Sequence, residues 1–407
     1  MFYDIIIVGA GIAGLRVGIE TLKAHPEKTC CILEKYGYTG GRIVTFKKGR
    51  LQWEGGAGRI ATSHKKTMGL LKNYGIHYVP IDNESDYVAS SSHAYFRNTF
   101  SDLQDVYFEP LKRLPSLTLR THTLKQLLDK TVGTVLTKHF CSQFPYHAEI
   151  HTLRADSALA SFEAEMGSNQ EFVVCPTGLS SLMKAMEKEF LRLGGVLTHH
   201  RTVHAIRRVD PFLLITCKDE KEVVQPFYAN KVVLALDQRS LQYIQGINHL
   251  PVLRKLRMIP LLRIYAVFPI TKGRSWFSDL KKVVTDDALR YILPIRPDKG
   301  IIMISYSEGA DAAYWSNYND ATVVPKLMEH IRRLFPDLTI PDPTFVKMHN
   351  WHTGCTYWLP GDYSVEEESR KSLNPLKGVY LCNESFAVKQ CWVESALEQA
   401  DRVLQII

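Results

Sequence analysis

Apolar and polar positions along the first 80 residues follow a strand–helix–strand order. Asp4–Val8 and Thr29–Leu33 are short, almost entirely apolar runs, which are typical of buried strands. Between them, Ile12–Ala24 carries apolar residues at the spacing of one helical face. A strand, a helix and a second strand in this order predict parallel strands with a helix packed on the sheet. The pattern therefore predicts an α/β fold.

The rest of the chain divides into segments by the same pattern. Lys65–Tyr74 and Thr177–Leu193 predict amphipathic helices, whereas the periodicity is loose from about residue 81 to Met166. Later strands are predicted at VLTHHRTVHAIRRV, LLITC, KVVLAL, RIYAVF, GIIMISY and GVYL, and later helices at ATVVPKLMEHIRRLF and Val393–Leu404. We therefore expect one domain from residues 1–80, 190–250 and 345–407, interrupted twice by a second domain from residues 81–189 and 251–344.

The stretch VGAGIAGL joins the first predicted strand to the first helix. Gly9 permits the tight turn, Gly11 lets the backbone approach a pyrophosphate, and Gly14 lets the helix pack against the strand. Phosphates then lie at the helix N-terminus, where free N–H groups and the helix dipole favour negative charge. Glu34 follows the second strand, about 20 residues after the last glycine, where an acid binds ribose hydroxyls. Together these residues predict a dinucleotide-binding site.

A second glycine motif indicates which dinucleotide is bound. Residues 39–45 read TGGRIVT and resemble the GGRxxT element of flavoproteins. In that resemblance Gly41 clears space beside the cofactor, and Arg42 reaches the phosphates of the flavin nucleotide. The two motifs together favour FAD over NAD.

Four further blocks resemble the flavin amine oxidase superfamily, which includes monoamine, polyamine and L-amino acid oxidases. The blocks are EGGAGR at residues 54–59, TVHAI at 202–206, NES at 383–385 and CWVESA at 391–396. The resemblance implies a GR2-type flavoprotein, in which a Rossmann-like FAD-binding domain carries an inserted α+β substrate-binding domain. The FAD contacts that it implies are Gly9, Gly11, Gly14, Glu34, Gly41, Arg42, Gly56, Ala57, Val203, Glu384 and Val393.

The resemblance also implies a reaction. In this superfamily a neutral amine loses hydride from its α-carbon to flavin N5, the imine hydrolyses, and dioxygen reoxidises the flavin to give hydrogen peroxide. Such chemistry needs an oriented C–H bond and exclusion of water more than acid–base groups. We therefore expect an FAD-dependent oxidase whose partners are O2 and a small-molecule amine or L-amino acid.

Four residues are candidates for contact with the substrate, namely Arg59, Arg263, Tyr357 and Trp392. Arg59 ends a Gly-x-x-Arg match to L-amino acid oxidases, where the arginine holds the substrate carboxylate; the alternative is that Arg59 pairs with a protein carboxylate or a flavin phosphate. Trp392 and Tyr357 resemble the aromatic walls around the amine, with ordinary core as the alternative for Tyr357. Arg263 stands where the family places a lysine near flavin N5, so it either holds water or a substrate anion or marks a loss of amine oxidation.

Other functions stay open at this point. Arg59 would be structural in a monoamine or polyamine oxidase, and the same fold also serves FAD-dependent desaturases and isomerases. A protein that binds flavin without turnover is a further alternative. The FAD is expected to be non-covalent, although Gly354-Cys355 resembles the pair that carries flavin as a thioether in monoamine oxidases.

Composition and charge exclude several classes of protein. A net charge of +8 is mild for 407 residues, so no specific binding to nucleic acid is expected. The eight cysteines form no CxxC pair and the histidines show no ligand spacing, which predicts a reducing compartment and no metal site. Neither a signal peptide nor an apolar run of roughly 20 residues is present, so we expect a cytoplasmic protein without a membrane anchor.

Overall fold

Two large sheets organise the protein. A computed structural model describes residues 1–81, 84–90, 95–96, 100–165 and 171–407, and most strands in these ranges belong to two seven-stranded sheets. Met166, at the end of the loosely patterned region, lies outside the described residues. The strands are β1 (Phe2–Val8), β2 (Cys30–Leu33), β3 (Thr45–Lys48), β4 (Leu51–Glu54), β5 (Ile60–Ala61), β6 (Val79–Ile81), β7 (Ser85–Val88), β8 (Tyr95–Phe96), β9 (Phe172–Val174), β10 (Val196–Thr198), β11 (Thr202–Val209), β12 (Phe212–Lys218), β13 (Val224–Leu234), β14 (Leu256–Val267), β15 (Lys282–Thr285), β16 (Tyr291–Arg296), β17 (Ile301–Glu308), β18 (Phe345–Trp358) and β19 (Val379–Leu381). The helices are α1 (Ile12–Ala24), α2 (Lys65–Asn73), α3 (Phe100–Lys112), α4 (Ser116–Thr121), α5 (Leu124–Thr131), α6 (Thr134–Gln143), α7 (His147–Thr152), α8 (Ala155–Glu165), α9 (Ser180–Arg192), α10 (Gln238–Leu241), α11 (Gly309–Trp315), α12 (Val323–Leu334), α13 (Val365–Ser372) and α14 (Val393–Leu404).

The first sheet contains the strand–helix–strand start of the chain. Its order is β10-β2-β1-β13-β12-β11, and β19 pairs with β13. Strands β10, β2, β1, β13 and β19 run parallel, whereas β12 and β11 are antiparallel additions. Because side chains alternate along β1, Ile5 and Ile7 share a core with α1, α9 and α14, while Ile6 and Val8 face the opposite core. The predicted α/β fold is confirmed.

The second sheet has the order β18-β14-β17-β16-β15-β7-β8. Its central strand β14 pairs antiparallel with both β17 and β18. Leu262 and Ile264 face a core that includes Leu327 and Ile331 of α12. Leu261 faces the opposite core, so the two faces of this sheet are covered by different layers.

Helices α3–α8 form the layer on the Leu261 side of the second sheet. Two of these helices, α4 and α7, have only 6 residues each, which explains why no long periodic pattern is visible in this part of the sequence. Aromatic side chains pack the layer, and Phe108, Phe140 and Phe162 share one core with Leu261 and Tyr357. No helix in the described ranges has both the length and the hydrophobicity that crossing a bilayer requires.

The predicted division into two domains stays a prediction, and the sheets add two details to it. β18 lies in the range 345–407 but pairs with β14 of the second sheet. α9 lies mostly in the range 81–189 but shares a core with α1 of the first sheet. Each sheet therefore pairs or packs with an element from a range that the sequence pattern assigns to the other domain.

Candidate active site

In the glycine loop between β1 and α1, a side chain would clash with the protein at two positions and would meet free space at the third. Gly9 has φ +104°, and a Cβ there would lie 2.7 Å from the Ala235 carbonyl oxygen. A Cβ at Gly14 would lie 2.1 Å from the Gly9 carbonyl oxygen. At Gly11, by contrast, a Cβ would meet nothing within 4 Å. The protein itself therefore requires Gly9 and Gly14, whereas Gly11 faces open space.

The second glycine motif lies directly beside this loop. Gly40 donates its N–H to the Ala10 carbonyl at 3.0 Å. Gly41 has φ +59°, and the nearest atom to a Cβ there is the Gly11 Cα, at 3.9 Å. Two glycines thus line one opening at the start of α1, where no side chain caps the helix. Free N–H groups at such a terminus suit an anion.

Glu34 is placed at this opening by the end of β2. Its carboxylate accepts hydrogen bonds from the Ala10 N–H at 2.7 Å and the Tyr36 N–H at 2.9 Å. A carboxylate has about four acceptor positions, so Glu34 keeps capacity for hydroxyl groups. Val203, predicted to lie near an adenine, is buried in β11 of the same sheet.

Arg42 connects this region to the C-terminal block of the chain. Its guanidinium donates to Glu384 Oε1 at 2.8 Å and to the Gly354 carbonyl at 3.0 Å. Burial opposes the arginine's charge, but attraction to Glu384 outweighs it and raises the Arg42 pKa. Glu384 also accepts from the Cys391 N–H at 2.9 Å. The sequence gives no sign of this pairing, because its partners lie 342 residues apart.

Five large polar side chains lie deep in the protein between the glycine motifs and the second sheet. Arg42, Arg59, Arg263, Tyr146 and Tyr306 are enclosed by protein, yet each keeps some accessible surface. Because the protein surrounds these side chains, we infer that their accessible surface lines an internal space, which is called the cavity below. The cavity therefore brings together residues from the glycine motifs, the helical layer and the second sheet.

Gly56 and Ala57 pack against the backbone of Arg42. A Cβ at Gly56 would lie 1.9 Å from the Arg42 carbonyl oxygen, so only glycine fits there. Ala57 donates its N–H to the same carbonyl at 2.9 Å. This contact fixes the course of the chain that leads to Arg59.

Arg59 lies in the cavity without a carboxylate partner among the residues that the structure describes. It donates to the Tyr146 hydroxyl at 3.0 Å, and its guanidinium carbon lies 4.3 Å from the centre of the Phe172 ring. Phe172 in turn lies 6.4 Å, ring to ring, from Trp392, and His64 contacts the same tryptophan at 4.8 Å. Arg59 and Trp392 are thus brought together by Phe172, which sequence reasoning missed.

Arg263 approaches the same cavity from β14. It donates to the carbonyl oxygens of Glu54 and Gly56, and its guanidinium carbon lies 4.9 Å from the centre of the Tyr306 ring. Its cation therefore anchors the segment that leads to Arg59. Arg263, which the sequence predicts to lie near the flavin ring, is therefore bound by backbone carbonyl groups of the protein.

The aromatic residues Trp392, Tyr357 and Trp351 differ in how deeply they are buried and in the contacts that they make. Trp392 is half-buried and precedes α14, whose N-terminus has no side-chain cap, so Val393 begins a second helix with free N–H groups. Tyr357 is only 2% exposed and lies within the core shared with the helical layer. Trp351, half-buried, donates its indole N–H to the Gly55 carbonyl at 2.7 Å. The role of Tyr357 as a wall around the amine stays a prediction.

Comparison with known proteins decides the family. A family model described as flavin-containing amine oxidoreductase matches residues 12–406. The chain belongs to this family. The predicted superfamily and the predicted class of enzyme, a flavin-dependent oxidoreductase, are confirmed.

Three proteins similar to this amine oxidoreductase are at most 20% identical to it in sequence. An uncharacterized protein of Acanthamoeba polyphaga mimivirus is 20% identical, over 98% of this chain and 93% of its own. A putrescine oxidase variant is similar in structure at 15% identity, with a TM-score of 0.77 over 100% of this chain and 98% of its own. Cyclohexylamine oxidase from Brevibacterium oxydans has 14% identity and a TM-score of 0.77, over 99% of this chain and 98% of its own. These two similarities establish the fold.

The amine oxidoreductase has the features that a flavin nucleotide needs. The open face at Gly11 and Gly41 and the uncapped start of α1 suit the phosphates. The uncapped start of α14, which Trp392 and Phe172 connect to Arg59, suits a ring system that gains negative charge on reduction. The residues therefore fit the cofactor that the family name implies.

Cys391 precedes Trp392 with φ +70°, a conformation that costs a non-glycine residue about 1–3 kcal/mol. We expect the free energy of unfolding to be about 1 kcal/mol higher for Cys391→Gly than for Cys391→Ala, because glycine adopts this conformation freely and both variants lose the contacts of the thiol. Thermal unfolding of the glycine and alanine variants would measure the effect, since alanine keeps the strain. A glycine variant less stable than the alanine variant would contradict this reading.

Glu54 predicts a pH-dependent stability. Burial raises its pKa to about 7, although hydrogen bonds from Leu179 N–H and the Thr45 hydroxyl oppose the shift. The folded protein therefore binds a proton that the unfolded chain has lost between its ordinary pKa of 4.5 and about 7. The free energy of unfolding of the wild type should therefore fall as the pH rises through this window. Its difference from that of Glu54→Gln should change by on the order of 2 kcal/mol. The melting temperatures of the two proteins should be measured at several pH values between 5 and 8. An equal dependence of the melting temperature on pH in both proteins would contradict this assignment.

Proposed function

We propose that the chain is an FAD-dependent oxidase of L-amino acids, which it deaminates oxidatively with release of hydrogen peroxide. The observation that carries this proposal is Arg59, a cation inside the cavity that pairs with no carboxylate among the described residues. A guanidinium in such a setting favours a planar anion that can accept two parallel hydrogen bonds. A substrate carboxylate has this shape and charge.

The aromatic residues beside Arg59 would orient the rest of the substrate. Phe172 packs on the Arg59 guanidinium and leads to Trp392 at the start of α14. A carboxylate held at Arg59 would place the adjacent α-carbon along this aromatic wall, which fixes the direction of its C–H bond. Orientation of the reacting C–H bond contributes most of the rate acceleration that we expect for hydride transfer.

Bound FAD would supply a two-electron acceptor that O2 can reoxidise. The chain's own contribution is binding, orientation and charge. Arg59 and Arg263 both carry positive charge at the cavity, which disfavours the ammonium form of a nearby amine. They would therefore favour the neutral amine, the form that can lose hydride.

FAD attachment is proposed to be non-covalent. Cys355 lies in the buried core at 9% exposure, and Gly354 beside it accepts a hydrogen bond from Arg42. Denaturing the protein with acid should therefore release all of the yellow colour into the supernatant. Colour retained in the pellet of the wild type and absent from Cys355→Ser would show a thioether instead.

The second candidate function is oxidation of amines that carry no carboxylate. The two solved structures described above are named for putrescine and cyclohexylamine, and neither compound has one. In that case Arg59 would serve only the packing of Phe172 and Tyr146.

A peroxide assay over L-amino acids, monoamines and polyamines tests both candidates. The proposed function predicts peroxide from one or more L-amino acids. Peroxide only from compounds without a carboxylate would favour the second candidate. A flavin-loaded protein that yields none with any compound would refute both, and would favour the desaturase or isomerase alternative.

A further inference from the structure

Two arginines reach the cavity without an acid to balance them. Arg59 and Arg263 form no ion pair within the part of the chain that the structure describes. Arg42, by contrast, pairs with Glu384 at 2.8 Å. Charged side chains inside proteins are almost always paired, because an ion that leaves water loses much of its solvation energy. The cavity therefore carries two positive charges that the described residues leave uncompensated.

Glu54 is the acid that acts on Arg263, and it supplies little negative charge. Burial raises the pKa of its carboxyl group to about 7, so this group is only partly ionised at neutral pH. Its oxygens accept hydrogen bonds from the Leu179 N–H at 2.7 Å and from the Thr45 hydroxyl at 3.0 Å. Arg263 binds the backbone carbonyl of Glu54 instead of the carboxyl group. The contacts of the Arg263 guanidinium group are therefore neutral, and its charge is free to attract an anion.

Each of the two guanidinium groups has N–H donors to spare. Arg59 uses Nη2 for the Tyr146 hydroxyl, and Arg263 uses Nη1 for two backbone carbonyl groups. Arg263 Nε is enclosed by protein, whereas Arg59 Nε, Arg59 Nη1 and Arg263 Nη2 are not enclosed and form no hydrogen bond with a described residue. These three donors therefore face the cavity, where an anion can reach them.

The two arginines lie on one wall of the cavity. Arg263 binds the carbonyl group of Gly56, three residues before Arg59, and three residues span at most about 11 Å of chain. Tyr146, which binds Arg59, has its ring 6.0 Å from the ring of Tyr306. The Arg263 guanidinium carbon lies 4.9 Å from the centre of the Tyr306 ring. Two cations are thus joined by two aromatic rings, and the rings provide an apolar surface between them.

We propose that Arg59 and Arg263 together bind a dicarboxylate, so that the substrate is an acidic L-amino acid. Its α-carboxylate pairs with Arg59, the carboxylate of its side chain pairs with Arg263, and the carbon chain between them packs on the aromatic rings. The assignment rests on the proposed function for the α-carboxylate, whereas the second carboxylate depends only on Arg263.

Charge balance favours an acidic substrate over other L-amino acids. With its amine neutral, an acidic amino acid carries two negative charges, which compensate both arginines. Any other L-amino acid compensates one of them and leaves the second cation unpaired in a space that holds little water. A guanidinium group binds a carboxylate through two parallel N–H donors, so each end of a dicarboxylate is held in a defined orientation.

The test measures the binding of three ligands that resist oxidation, because the carbon that bears the amine carries no hydrogen. α-Methyl-L-glutamate has both carboxylates, α-methyl-L-glutamine has only the α-carboxylate, and γ-amino-γ-methylvalerate has only the carboxylate of the side chain. Each ligand is titrated calorimetrically into the flavin-loaded protein. We expect α-methyl-L-glutamate to bind the wild type at least about tenfold more tightly than either of the others, as a charge-assisted hydrogen bond provides.

Variants separate the two arginines. Arg263→Met should reduce the preference over α-methyl-L-glutamine to within about twofold, because the charge that distinguishes the acid from the amide is lost. Arg59→Met should instead reduce the preference over γ-amino-γ-methylvalerate. Arg257→Met removes an exposed arginine of the same strand as Arg263 and should leave all three affinities unchanged.

The wild type alone can refute the assignment. Equal affinities for α-methyl-L-glutamate and α-methyl-L-glutamine would overturn it without any variant, and so would a preference that Arg263→Met retains in full. A preference over α-methyl-L-glutamine that depends on Arg263, with none over γ-amino-γ-methylvalerate, would refute the proposed function while supporting the anion site at Arg263.

Discussion

Replacing Arg59 with methionine should lower kcat/KM for L-amino acids by about 100-fold or more, mainly through a higher KM. The reason is the loss of a charge-assisted pair that is worth about 2–4 kcal/mol where little water reaches it, and about 1.4 kcal/mol corresponds to a factor of ten. Methionine preserves much of the volume and can still pack on Phe172. Initial rates of peroxide production over a range of substrate concentrations measure the effect.

Two controls make the Arg59 result specific. Arg254→Met removes an exposed arginine from the turn before β14 and should leave the kinetics unchanged. Arg59→Met itself should leave oxidation of an amine without a carboxylate within about threefold of the wild type, because that substrate has nothing to pair with the guanidinium. Equal losses for both kinds of substrate would mean that Arg59 acts through packing instead.

Gly11→Ala should abolish flavin binding without unfolding the protein. A Cβ at Gly11 meets no protein atom within 4 Å, and its φ of −73° is one that alanine adopts readily. The added methyl group would instead occupy the space where a pyrophosphate approaches the start of α1. We expect the flavin content of the purified protein to fall at least about tenfold, since tight approach of the backbone is what the glycine provides.

Gly69→Ala is the matched control for this substitution. A Cβ at Gly69, on α2, also meets nothing within 4 Å, but it lies away from the glycine loops. Its flavin content should equal that of the wild type. When the flavin has been removed from all three proteins, both variants should melt within a few degrees of the wild type, because bound flavin itself stabilises the folded state. Full flavin content in Gly11→Ala would show that the cofactor phosphates do not approach this loop.

The elements that the sequence predicts well are those with a strong local pattern. The observed bounds of α1 and α14, Ile12–Ala24 and Val393–Leu404, equal the predicted ones. In both helices the apolar residues repeat along one face, and that face is buried against the first sheet. Positions in the helical layer were harder to predict, because several of its helices are too short to repeat a pattern.

The candidate site was predictable only in part, because its contacts join distant segments. The glycines at 9, 11 and 14 are recognisable from their spacing, since one turn uses all three. Nothing local in the sequence shows that Arg59 would meet Tyr146 and Phe172, or that Arg42 would pair with Glu384.

Anaerobic reduction of the bound flavin is the most direct test of the central claim, that Arg59 makes this a site for amino acids. Each L-amino acid of a panel would be mixed with the flavin-loaded protein alongside the amine that its decarboxylation gives, and loss of the oxidised flavin absorbance would be followed. We predict that at least one L-amino acid reduces the flavin about 100-fold more efficiently than the amine formed by its decarboxylation, because a charge-assisted pair with Arg59 contributes roughly this factor. Reduction by the decarboxylated amines that equals or exceeds reduction by the amino acids would contradict it.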